Sequence, residues 1–162
     1  MLGWMRHSWG RMTQANLTLK LSQGEDDGRL TATVKSGSFS GTGSAWIGLS
    51  SLSAFADELG AFPIDPDGPP SFVAGAYKDG NLLEDREFIR ITIRPFDRTG
   101  KLIAQVSLAE TGFGLRRENP AMSQAVRVAF PVQYQALSDF AIALRALESG
   151  SASSAELYAA IP

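Results

Sequence analysis

The chain contains no cysteine. That removes disulfides, zinc–thiolate sites and thiol nucleophiles, and it is compatible with a reducing, cytoplasmic compartment. One histidine is present, His7, close to the start. A Ser-His-Asp constellation would have to use it, and no histidine pair exists to hold zinc. No apolar run approaches the ~20 residues of a membrane-spanning helix. Charge of one sign is not in excess: 15 basic residues stand against 17 acidic, for a net charge of −2. That balance is no electrostatic footprint for nucleic acid. A phosphate cradle is missing too, because Trp46 stands where the third glycine of a G-x-G-x-x-G run from Gly41 would fall. The expectation is a non-enzyme without cofactor or metal, whose partners include neither nucleic acid nor membrane.

What is present is a pattern of core-forming residues. A length of 162 residues fits one domain. Leu137, Phe140, Ala141, Leu144 and Leu147 recur at helical spacing and predict an amphipathic helix. Val126, Val128 and Phe130 alternate just before it, so a strand feeds the helix. The cassette L-S-x-F-A-x-x-L occurs twice, at Leu52–Leu59 and at Leu137–Leu144, each with an aromatic strand end upstream, Trp46 and Phe130. Ser50 or Ser51 is placed to cap the first helix, and Gly60 to end it.

Strands fill most of the remainder. Leu17, Leu19 and Leu21 alternate with polar residues, then Leu30, Ala32 and Val34, with Gln23–Gly28 as the turn between them. Ile89, Ile91 and Ile93 oppose Arg90, Thr92 and Arg94, and Leu102, Ala104, Val106 and Leu108 return the chain. Ser71–Lys78 reads as a further strand, ended by the turn pair Asp79-Gly80. Gly37–Ile47, G-S-F-S-G-T-G-S-A-W-I, is rich in small residues, which allow a strand to twist, bulge or meet another backbone closely. One extra residue near Gly41 or Gly43 would bring both Phe39 and Trp46 to the core. Phe62–Pro70 holds four prolines and reads as a stiff exposed crossing.

The predicted fold is α+β: a twisted antiparallel sheet of about six to eight strands with two amphipathic helices packed on it. Residues 1–15 read as an amino-terminal extension and 16–148 as one domain. Residues 149–162, which open with S-G-S-A-S-S, read as a flexible or docking tail. The expected core includes Leu19, Leu30, Val34, Phe39, Trp46, Leu52, Phe55, Leu59, Ile89, Ile91, Ile93, Val106, Leu108, Val128, Phe130, Leu137, Phe140 and Leu144.

Candidate interaction residues lie in loops, the usual seat of binding. Glu25, Asp26 and Asp27 crowd one turn, and Asp65 and Asp67 lie in the proline-rich crossing. Both groups offer negative charge to a basic partner. They lack the spaced ligand frame of a calcium loop, and a solvated turn is the ordinary role of such residues. Phe113, Arg116 and Arg117 stand together in Gly112–Met122. An aromatic beside guanidinium groups serves a protein interface or lines a small-ligand pocket. Arg90 and Arg94 could grip an anion or pair with Glu84, Asp85 or Glu87, but a solvated face is the plainer reading. A third use is self-assembly through an exposed sheet edge, giving a homo-oligomer.

The glycine-rich segment Gly37–Ile47, followed by L-x-x-F-A-x-x-L at Leu52–Leu59, resembles the WapI-type bacterial immunity proteins and their uncharacterised relatives. So does the ending, a strand followed by Tyr134-x-x-L-x-x-F-A-x-x-L through Leu144. The resemblance covers roughly a third of the chain and lies in small and core residues, which specify fold better than activity. It implies a small cytoplasmic α+β protein that neutralises a toxin domain by binding it, and it carries over no catalytic residue.

Overall fold

The computed structural model describes residues 14–48, 50–111 and 123–160. The chain order is β1 (Ala15–Gln23), β2 (Asp27–Ser36), β3 (Phe39–Gly48), α1 (Ser51–Leu59), β4 (Ser71–Lys78), β5 (Asn81–Pro95), β6 (Leu102–Thr111), β7 (Ser123–Val132), α2 (Tyr134–Ser149) and β8 (Ala155–Tyr158). The α+β class and antiparallel pairing follow the sequence reading. Among the described residues, eight strands divide between two four-stranded sheets, ordered β3-β2-β1-β8 and β4-β5-β6-β7.

Turn chemistry sets the hairpins. Gly37 has φ of 60° at the two-residue β2–β3 turn, a conformation that glycine adopts without steric cost. Asp79 and Gly80 both have positive φ, 53° and 79°, as a type I′ turn requires.

Register then sorts side chains by face. In the first sheet Leu17 pairs with Val34 and with Leu157, and Leu19 pairs with Ala32 and with Ala155. In the second, Ile91 pairs with Phe72 and Val106, and Val106 with Val128. All of these are buried in one continuous core, except that Gly41 and Gly43 bring no side chain to it. Each large side chain buried there contributes roughly 1.5–3 kcal/mol by leaving water.

Small residues let the sheets meet. β3 comes close to all four strands of the second sheet, so it crosses them steeply instead of lying along one. Gly43 makes this possible: a Cβ there would stand 2.5 Å from the Phe88 carbonyl oxygen. The close backbone approach permitted by the glycines is therefore real, whereas the expected bulge is absent. β2 and β3 stay in unbroken register from Ser36↔Phe39 to Asp27↔Gly48. With no extra residue, alternation turns Trp46 outward, and it is 55% exposed. Phe39 lies at the hairpin tip and is 65% exposed. Both expected core positions are corrected. Phe130, by contrast, is buried. Aligning Leu52 with Leu137 sets it opposite Ala45, not Trp46, so the two upstream aromatics are not equivalent.

The helices pack against each other, and α1 also meets β4 while α2 meets β1 and β8. They run antiparallel, because Glu148 near the end of α2 lies at the start of α1. The expected serine cap is replaced. Ser50 makes no side-chain cap; Glu148 Oε2 accepts the Leu52 and Ser53 backbone N–H groups, both at 3.0 Å. Phe55 of α1 meets Phe72 of β4 with ring centroids 5.6 Å apart. Helix α2 ends at Gly150, φ 83°, whose N–H bonds back into the last turn together with that of Ser151.

Three segments depart from their expected roles. The proline-rich crossing is not wholly solvated, because Ile64 is buried and its N–H donates to the Tyr134 hydroxyl at 3.2 Å. Thr92, expected on the solvent face, is 4% exposed with its hydroxyl 3.3 Å from that of Ser71. The carboxyl-terminal stretch is no flexible tail through Tyr158. Ser149 completes α2, and Ala155–Tyr158 pair with β1, burying Ala155 and Leu157. The stretch docks as a strand that completes the first sheet.

Candidate protein-binding groove

β3 and β4 are edge strands, each with one strand neighbour among the described residues. They approach one another where the two sheets meet. Trp46 stands at this seam, placed outward by alternation along β3. Its cross-strand partner on β2 is Arg29, whose guanidinium carbon lies 6.0 Å from the ring centroid. That distance is within cation–π range and holds the indole without burying it.

A cleft opens on each side of Trp46. One, of about 360 Å³, is lined by Asp27, Ile47, Gly48, Ser51, Phe72 and Val73 among others. The second, of about 350 Å³, is lined by Arg29, Ser44, Gly75, Ala76, Phe88 and Glu110 among others. Together they form a groove along β3 and β4 with Trp46 as a ridge. Gly75, on the lining of the second cleft, lies at a register irregularity between β4 and β5, the kind of place where a strand bends. The groove brings together two edge strands, an aromatic side chain and a charge of each sign among the described residues.

Of the candidate interaction residues that are described, Asp27 alone lines this groove. Glu25 and Asp26 are exposed in the adjoining turn, where the Gly24 N–H donates to the Asp27 carbonyl at 2.7 Å. Asp65 and Asp67 are exposed in the crossing before β4, and Asp65 Oδ1 accepts the Asp67 N–H at 2.9 Å. Phe113, Arg116 and Arg117 lie outside the described residues, as does the pocket expected around them. Arg90 pairs with Glu87, and its pKa is raised chiefly by that hydrogen bond. Arg94 donates to Gln105 Oε1 at 3.0 Å across β5–β6.

Trp46 itself was assigned to the core by the expected bulge. Strict alternation, taken without that extra residue, already places it on the same face as Thr42 and Ser44. Among the described residues, no group of three or more His, Asp or Glu side chains comes together in a form able to hold a metal. No described helix is long and apolar enough to cross a membrane. No family model matches the chain, and no curated protein matches it.

Proposed function

We propose that the chain is a non-catalytic protein-binding module that takes an extended, basic segment of its partner along the β3–β4 groove. The observation that carries this reading is Trp46: a large indole left 55% exposed between two clefts, on a strand that is an edge among the described residues. Tryptophan and arginine are the residue types most enriched among interface hot spots, and Arg29 supports Trp46 from below. The acidic turn Glu25–Asp27 adjoins one end of the groove and favours a basic segment. The resemblance to WapI-type immunity proteins gives the partner class, a toxin domain neutralised in the cytoplasm by direct binding. That part of the proposal rests on the quoted sequence segments.

Capture from the source organism's lysate tests it, using the full chain and its Trp46→Ala and Asp27→Lys variants at two salt concentrations. A stoichiometric basic partner retained by the wild type, weakened by salt and lost in both variants, would support the groove. A partner held equally by all three would overturn it. Recovery of the chain alone, with dimers in solution, would favour self-assembly through the same edges.

A further inference from the structure

A different part of the molecule holds a larger apolar cleft, of about 570 Å³, that the protein-binding reading does not use. Its body is built by Phe96, Leu102, Ile103, Phe130, Pro131 and Tyr134. β6 and β7 supply the floor, since Ile103 pairs with Pro131. Phe96 begins the β5–β6 turn and forms a wall that is 63% exposed. The opposite side is closed by Tyr134, at the start of α2, and by Ala160, whose N–H donates to the Pro131 carbonyl at 2.7 Å. Tyr134 is itself fixed, by the Ile64 N–H and by the Phe62 ring at 4.9 Å. The volume falls within the ~300–1,000 Å³ of small-molecule sites.

Among the described residues that line the cleft, Lys101 carries the one charged side chain. The nearest acid in the same turn, Asp97, accepts the Thr99 N–H at 2.8 Å and the Thr99 hydroxyl. Its pKa is lowered mainly by those bonds, with a smaller contribution from Lys101. Lys101 is on the cleft lining and Asp97 is not, and an apolar bed with a lysine at the rim fits an apolar body carrying one anionic head.

We propose that this cleft binds a free medium-chain carboxylate, with the hydrocarbon over Ile103 and Pro131 and the carboxylate at Lys101.

The test is amide NMR of the full chain titrated with decanoate and decyltrimethylammonium below their micellar concentrations, and with decanol below its solubility limit. Decanoate should shift Phe96, Lys101, Ile103 and Tyr134 while leaving Trp46 unmoved. It should bind about three- to fivefold more tightly than decanol, the advantage an exposed ion pair allows. Lys101→Gln, an exposed change that does not threaten the fold, should remove that advantage. Ala129→Trp, placed on the exposed cleft lining, should block all three ligands. No response up to millimolar decanoate would overturn the proposal. Equal binding of decanol and decanoate would overturn the anionic class, and shifts centred on the Trp46 groove would overturn the location.

Discussion

The Glu148 carboxylate of α2 accepts the Leu52 backbone N–H of α1 at 3.0 Å, so one helix caps the other from the far end of the sequence. Ser53 adds its N–H at 3.0 Å and its hydroxyl. Helix N-termini leave N–H groups without intrahelical partners, and their partial positive charge favours a carboxylate. Glu148→Ala should therefore destabilise the domain by about 1–2 kcal/mol, read as a lower urea midpoint with an unchanged slope. Glu148→Gln keeps an acceptor oxygen and should cost less. Equal stability of all three proteins would mean that water replaces the cap without loss.

Gly43 tests how tightly β3 is pressed on the second sheet. Its Cβ would meet the Phe88 carbonyl, a backbone atom that cannot swing aside. Gly43→Ala should cost about 1–3 kcal/mol, the range for overpacking. Gly48→Ala is the control on the same strand, because its nearest neighbour would be the Ser51 hydroxyl at 3.6 Å. That variant should stay within about 0.5 kcal/mol of the wild type.

Leu157 decides whether β8 is integral. It is fully buried and pairs with Leu17. Leu157→Ala should cost about 2–5 kcal/mol in chemical denaturation. Wild-type stability in that variant would restore the flexible-tail reading.

Trp46→Ala should leave the melting temperature nearly unchanged, since the ring is more than half exposed. Phe140→Ala, on the buried stripe of α2, should cost about 3–5 kcal/mol. A large loss of stability at Trp46 would assign the indole to architecture and weaken its use as an anchor.

Asp97 carries a predicted pH signature. Its pKa is lowered, first by the Thr99 hydroxyl and then by the Thr99 N–H. A depressed carboxylate contributes stability that is present above its unfolded pKa and is lost as pH falls through the folded value. An NMR titration should place its midpoint below the usual carboxylate range, and Thr99→Val should move it back up. An unchanged midpoint in Thr99→Val would remove the hydroxyl as the cause.

Local patterns were readable where one residue type has one structural use. Asp79-Gly80 announced its turn because both positions need positive φ. The alternation of Ile89, Ile91 and Ile93, and the stripe Leu137-Phe140-Leu144, announced their buried faces. What escaped depends on partners distant in sequence. Nothing near Glu148 says that it faces Leu52, and nothing in β3 says which second sheet it crosses. β8 is four residues long behind a serine-rich link, too short for alternation to declare itself. Trp46 follows strict periodicity along β3, which here outweighs the aromatic character that favours burial. The groove exists only where the edges of β3 and β4, distant in sequence, are brought together.

β8 lies against β1, so the earliest and latest strands of the described chain are neighbours. During synthesis, β1 to β3 leave the ribosome long before Ala155–Tyr158 are made. Until then the β1 edge, carrying Leu17 and Leu19, has no strand beside it. The first sheet must wait, partly open, for its last member. A domain closed in this way acquires its full cooperativity only after translation has passed Tyr158, and such long-range closure slows folding.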